Sequence, residues 1–264
     1  MFRIGTTSYI IEDDLLPNTR WLADKVDDIE LVLFDLDDGQ SNLPNQETAV
    51  SMRHVADEHD LTFTVHLPLD IRLNDDGSVE HPSIHKAKKV IDCVRPLQPY
   101  AYVLHLDGRH VRGEDVPETA VLAWQQQSVT ALNLLAECVD GFDKLAVENL
   151  EGYPLDFILP VVAQLPVQRC VDVGHLWLDG HDPLPYLHAA LPRTSVIHLH
   201  GLDTRDHSSL VHMTNAQVDG IIHYLLAEKF AGVLSLEVFG EADFRSSLTA
   251  VHESMNRFTN QGRG

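Results

Sequence analysis

The stretch Cys170-Val171-Asp172-Val173-Gly174-His175 reads as a buried strand running into a carboxylate, a glycine and an imidazole. If the glycine lets the backbone turn sharply, Asp172 and His175 present an oxygen and a nitrogen donor to one point, so a metal ion is the first chemistry to expect. The competing role for Asp172 is to cap the turn that follows. Repetition favours the metal: other apolar runs end in Thr7 and Ser8, Asp35, His66, His105, Glu148, His198 with His200, and Glu237. Glu148, Asp172, His198 and Glu237 make a mixed oxygen and nitrogen set for one divalent ion. His66, His105 and His175 extend it toward a second, with Glu148 placed to bridge. Zinc, manganese and iron all suit such donors, and no strand end carries a cysteine for a thiolate zinc site.

Two neighbouring ions suit hydrolysis of a phosphodiester, because one lowers the pKa of a bound water and both stabilise charge on the phosphate oxygens. One ion suits a different reaction, in which it chelates a sugar's oxygens while Glu148 and Glu237 move a proton on carbon, giving an isomerase or epimerase. Loop residues Arg72, Arg109, Arg112 and Arg205 are candidates to hold a phosphate, since guanidinium matches its oxygens in a bidentate way, and His207 is a further substrate-binding candidate. Against that stands the general exposure of charged side chains at surfaces. Tyr9 and Trp177 read as rim packing, and His110 and His181 as solvated loop residues.

The elements that must position these donors recur along the chain. The apolar runs Arg3–Tyr9, Ile29–Phe34, Leu61–His66, Ala101–His105, Leu145–Asn149, Arg169–Asp172, Ser195–His200 and Gly232–Glu237 predict eight strands. Helical periodicity lies between them at Leu15–Val26, Gln46–His59, Ser83–Arg95, Pro117–Cys138, Leu155–Val162, Pro183–Ala190 with Asp182 as its cap, and Asn215–Lys229, and a last helix covers Ala242–Phe258. Eight strands alternating with helices predict a single (β/α)8 TIM barrel over residues 1–264. A doubly wound open sheet would want a glycine-rich phosphate turn after the first strand, and none is there. In a barrel the strand ends converge on one mouth, where such folds keep their active sites.

Composition narrows the partners. Against 19 basic residues stand 40 acidic ones, for a formal charge of −21, which repels nucleic acid. No apolar stretch approaches the ~20 residues of a membrane span, and no signal-peptide pattern is seen, so a soluble cytoplasmic protein is expected. Cys93, Cys138 and Cys170 lack CxxC spacing and read as reduced, packed thiols.

The strand-end His66 and His105, Val-Glu148-Asn149, Asp172-Val-Gly-His175, Ile-His198-Leu-His200 and Ser-Leu-Glu237 together resemble the xylose isomerase-like barrels, which include endonuclease IV and sugar epimerases. The resemblance implies that His66, His105, Glu148, Asp172, His175, His198 and Glu237 are metal ligands. Endonuclease IV-like members also carry an Asp-x-His pair after the seventh strand for a third ion, and here that region reads Asp203-Thr-Arg-Asp206-His207, a departure from that spacing. Arg3-Ile-Gly-Thr-Thr-Ser-Tyr9, the Val26–Phe34 run and Gly180-His-Asp-Pro183 look like the cobamide-remodelling phosphodiesterases. That resemblance implies cleavage of the nucleotide-loop phosphodiester of a vitamin B12-type corrinoid, a small-molecule substrate, to cobinamide phosphate and an α-riboside. A bulky corrinoid needs a wide mouth, for which Leu67–Pro82, Asp107–Pro117 and Gly201–Thr214 are long enough. A non-enzymatic corrinoid-binding protein that keeps the cluster for structure is the remaining alternative.

Overall fold

Period-two alternation within the strands decides the architecture. On β2 (Asp28–Val32), Ile29 and Leu31 join the large apolar core, as do Phe63 and Val65 of β3 (Thr62–His66), Val147 of β5 (Leu145–Glu148) and Val171 of β6 (Gln168–Asp172). Residues of the other parity line the interior. Ala101 and Val103 of β4 (Ala101–Leu104), Ala146, Cys170, and Val196 of β7 (Thr194–Leu199) form a separate small apolar cluster. A sheet buried on both faces in this way is the parallel kind, covered outside by helices and filled inside by its own side chains. In the computed structural model, which describes residues 1–113 and 115–261, the strands pair in parallel and in chain order, and β8 (Val233–Leu236) closes the barrel on β1 (Arg3–Thr7). Residue 114, inside the Asp107–Pro117 loop, and residues 262–264 lie outside the described residues.

The outer layer comprises α1 (Leu15–Leu22), α2 (Gln46–His59), α3 (Pro82–Val94), α4 (Glu118–Cys138), α5 (Leu159–Val162), α6 (Val173–Leu178), α7 (Pro183–Ala190), α8 (Asn215–Ala227) and α9 (Glu241–Gln261). Their starts are set by side chains that satisfy free backbone N–H groups. Asn45 accepts from the Thr48 N–H at 2.9 Å, Asp182 from that of Leu184 at 3.1 Å, and Thr214 and Gln217 form a reciprocal capping box.

The expected bounds shift most at two helices. The first helix stops at Leu22, and Val26 reaches the core from the turn that follows. Only Leu159–Val162 is helical in the proline-rich stretch after β5. One helix was not expected: α6 starts directly at the end of β6, because the Asp172 side chain caps it, its Oδ1 accepting from the His175 N–H at 2.7 Å. No helix among the described residues is long and apolar enough to cross a membrane.

Candidate metal centre

Seven of the predicted donors meet at the carboxyl-terminal mouth, with Glu148 at the middle. Its Oε2 faces His105 Nε2 at 3.2 Å and His66 Nε2 at 3.5 Å, while its Oε1 faces His198 Nδ1 at 3.4 Å and His175 Nδ1 at 3.6 Å. His198 Nδ1 in turn lies 3.2 Å from Glu237 Oε2 and 3.7 Å from Asp172 Oδ2. Two donor sets result, His66–His105–Glu148 and Glu148–Asp172–His198–Glu237, joined by one carboxylate. Asn149 fixes the strand ends that carry it: its amide Nδ2 donates to the Asp172 carbonyl at 3.0 Å and its Oδ1 accepts the Asp172 N–H at 3.0 Å.

The residues fit divalent ions on two physical grounds. Donor atoms about 3.4 Å apart are what bonds of about 2.1 Å to one tetrahedral ion require. Asp172 Oδ2, His198 Nδ1, His200 Nε2 and Glu237 Oε2 are buried with no hydrogen-bond partner, and buried carboxylates without compensation are costly. Without an ion, protons on the imidazoles supply the missing charge. Burial opposes protonation of His105, yet Glu148 and Asp70 hold its pKa up to about 10. Burial likewise disfavours a charged Glu148, and the neighbouring His198 and His105 override it, so the carboxyl lies well below its usual range.

His175 takes a different partner set from the one expected. It belongs with His200, Asp206 and His207 rather than with His66 and His105, because its Nδ1–H donates to the Asn149 carbonyl at 3.2 Å and leaves Nε2 facing outward. His200 Nε2 stands 3.4 Å from Asp172 Oδ1, His200 Nδ1 3.2 Å from Asp206 Oδ1, and His207 Nδ1 3.3 Å from Asp206 Oδ2. His207, expected to touch substrate, thus sits in a third donor group, its Nε2 also 3.3 Å from Glu237 Oε2. It is held in the left-handed backbone region at φ 53°, a strained conformation of the kind that concentrates at functional sites. Asp206 reaches this place because Gly201 and Ser208 pair as a short antiparallel bridge and fold the loop back over His200.

The role expected of Gly174 also changes. Its backbone is not in a glycine-only conformation. A β-carbon there would lie 2.0 to 2.5 Å from three atoms of the His200 ring, so the glycine makes room for an imidazole. Gly174→Ala is therefore expected to push His200 out of place and lower stability by about 1–3 kcal/mol. Thermal unfolding measures it, and an unchanged midpoint would show that His200 yields freely.

Other expected residues fall outside the donor groups. Thr7 donates to the Val238 carbonyl at 2.6 Å and Ser8 accepts the Val32 N–H at 3.2 Å, so both tie strands together. Asp35 is paired with Lys89 at 2.9 Å and joins none of the donor groups. The arginines are engaged by carboxylates: Arg72 by Asp75 at 2.6 Å, Arg109 by Asp107 at 3.0 Å, and Arg205 by Asp243 at 2.7 Å, while Arg112 lies 4.9 Å over the Tyr153 ring. Three contributors were missed. Glu30 lies inside the barrel against His198, Asp70 holds His105 Nδ1 at 3.1 Å, and Asp206 belongs to the third group. For Glu30 the signal is its strand parity, which reads only once the inward face of β2 is known.

Comparison with known proteins identifies the family and the fold. Residues 23–261 match the family described as xylose isomerase-like TIM barrel. Among solved structures, a D-tagatose 3-epimerase-like protein superposes with a TM-score of 0.77 at 15% identity, covering 98% of this chain and 99% of that one. An L-ribulose 3-epimerase gives 0.72 at 16% identity over 100% and 97% of the two chains. Endonuclease IV from Thermus thermophilus gives 0.67 at 17% identity over 97% and 99%. At these identities the likeness is one of fold. No curated protein sequence matches the chain with significance.

Proposed function

Because the chain belongs to the xylose isomerase-like TIM barrel family, we propose that its mouth is a polynuclear centre for hydrolysis, and that the protein is a metal-dependent phosphodiesterase cleaving the nucleotide loop of cobamides to cobinamide phosphate and an α-riboside. The observation that carries this reading is the pair of donor sets sharing Glu148. A one-ion isomerase would leave His66 and His105 without an ion to hold. When bound, two divalent ions, zinc or manganese with iron also suited, supply an activated water and neutralise charge on the phosphate oxygens. Glu148 spaces the two donor sets through its separate oxygens. Glu237, between His198 and His207, is the carboxylate placed to take up or return a proton at the reacting face.

The rim supports this substrate class. Half-exposed Tyr9, Leu36, Leu69, Leu155 and Phe239 all lie in connections that follow strands and so surround the mouth. An apolar rim on a chain of net charge −21 suits a bulky, largely neutral molecule with a single phosphodiester better than a nucleic acid. The arginines near the mouth are bound to carboxylates and would have to exchange partners to reach a phosphate.

A second reading, a sugar isomerase or epimerase, draws on the way Glu148 and Glu237 both face His198 Nδ1, at 3.4 and 3.2 Å, as a one-ion proton-transfer pair would. Counting ions separates the two. Protein stripped and reloaded with zinc or manganese is expected to retain at least two ions per chain, and one tight ion per chain would favour the epimerase.

A further inference from the structure

Glu30 lies mid-strand in β2, within the barrel rather than at its mouth, fully buried and with neither carboxylate oxygen hydrogen-bonded. Its Oε1 is 3.0 Å from Nε2 of His198, although the N–H is not aligned on it. The opposite ring nitrogen, Nδ1, is the one that faces Glu148, Glu237 and Asp172. An imidazole that gives Nδ1 to an ion carries its proton on Nε2, and in a fully buried interior that N–H needs an acceptor. The other polarisable group close to His198, the Cys170 sulfur, is a weak acceptor.

We propose that Glu30 is a positioning residue of the metal centre: from inside the barrel it accepts the Nε2–H of His198, fixes the ring's tautomer and direction, and so holds Nδ1 toward the ion shared by Glu148, Asp172 and Glu237. This rests on the metal-centre reading above. It accounts for a charged residue in the barrel interior whose carboxylate oxygens have no hydrogen bond, and it ties the donor side of His198 to β2, a strand that does not pair with β7. The competing role is direct ligation, since Glu30, His66 and Glu237 also have donor atoms within 4.8 Å of one another. The 3.0 Å approach to Nε2, on the side of the ring away from the three carboxylates, favours positioning.

The test uses the whole chain and zinc alone. Glu30→Gln, with its fold checked by circular dichroism, is titrated with zinc against a chromophoric chelator beside the wild type. The expected result is an unchanged number of ions with one of them bound about 10–100-fold more weakly. Equal affinities would overturn the proposal. Disappearance of one ion from the count would overturn it in favour of ligation. Should Glu30→Gln not fold, the wild type loaded with cadmium-113 and labelled with nitrogen-15 histidine decides: coupling of cadmium to Nδ1 of His198 with a proton retained on Nε2 supports the role, and coupling to Nε2 refutes it. Wild-type protein that binds no zinc would refute the metal-centre reading itself, a result distinct from an insensitive Glu30 variant.

Discussion

Glu148→Gln is expected to lower phosphodiester cleavage by about 10³-fold or more and to remove at least one ion per chain, while the barrel still folds. The amide keeps the size of the side chain but removes the charge and turns one of the two oxygens, each facing a different histidine pair, into an N–H donor. A loss of 10³-fold corresponds to about 4 kcal/mol of transition-state stabilisation. Folding survives because His105 and His198 are kept protonated by the neighbouring carboxylates, Glu148 among them. Without that carboxylate they relax toward neutral imidazoles instead of remaining as buried unpaired cations. Kinetics and metal analysis on the same sample check it, and full activity with an unchanged ion count would remove Glu148 as the bridge.

Asp28→Asn is expected to stabilise the protein at neutral pH by up to about 3 kcal/mol and to do little in acid. Asp28 is fully buried inside the barrel, two residues from Glu30, and its burial pushes the carboxyl pKa from 3.8 up to about 6, against the hydrogen bond from the Thr62 hydroxyl at 2.6 Å. The folded protein therefore binds this proton more tightly than the unfolded chain. Stability falls as pH rises from about 4 to about 6 and stays lower above that, a difference of about 3 kcal/mol. Asparagine removes the ionisation and keeps an oxygen for Thr62, and its N–H groups have the unpaired Thr64 hydroxyl nearby. Denaturant unfolding of both proteins at pH 4.5 and pH 8 tests this. A difference in stability independent of pH would show that Asp28 ionises normally.

Much of this was readable from the chain because strand ends in a closed barrel are also the site. Runs such as Leu-Ala-Val-Glu148 and Val-Ile-His198 state both where a strand lies and which donor it delivers. The parts that were not readable depend on direction and on chain return. Glu30 sits mid-strand, so its place in the site follows only from which parity of β2 faces inward. Asp206 and His207 depend on a loop that doubles back through the Gly201–Ser208 bridge, which residue spacing does not reveal. Arg72, Arg109 and Arg205 looked available because the pairing of Arg72 with Asp107 and of Arg205 with Asp243 joins segments distant in sequence, and Asp107 beside Arg109 carries no marking pattern. Asp172 was posed as either ligand or helix cap. Its two oxygens divide those roles, Oδ1 capping α6 and Oδ2 facing His198.

The most direct test of the central claim is to incubate the metal-loaded protein with adenosylcobalamin and with a purinyl cobamide, with and without chelator, and to follow the products by mass spectrometry. Release of cobinamide phosphate and an α-riboside, abolished by chelator, is the predicted result and identifies the bond cut. Both corrinoids remaining intact, with ions confirmed in the site, would contradict the phosphodiesterase reading and direct the search to proton exchange on ketoses and sugar phosphates.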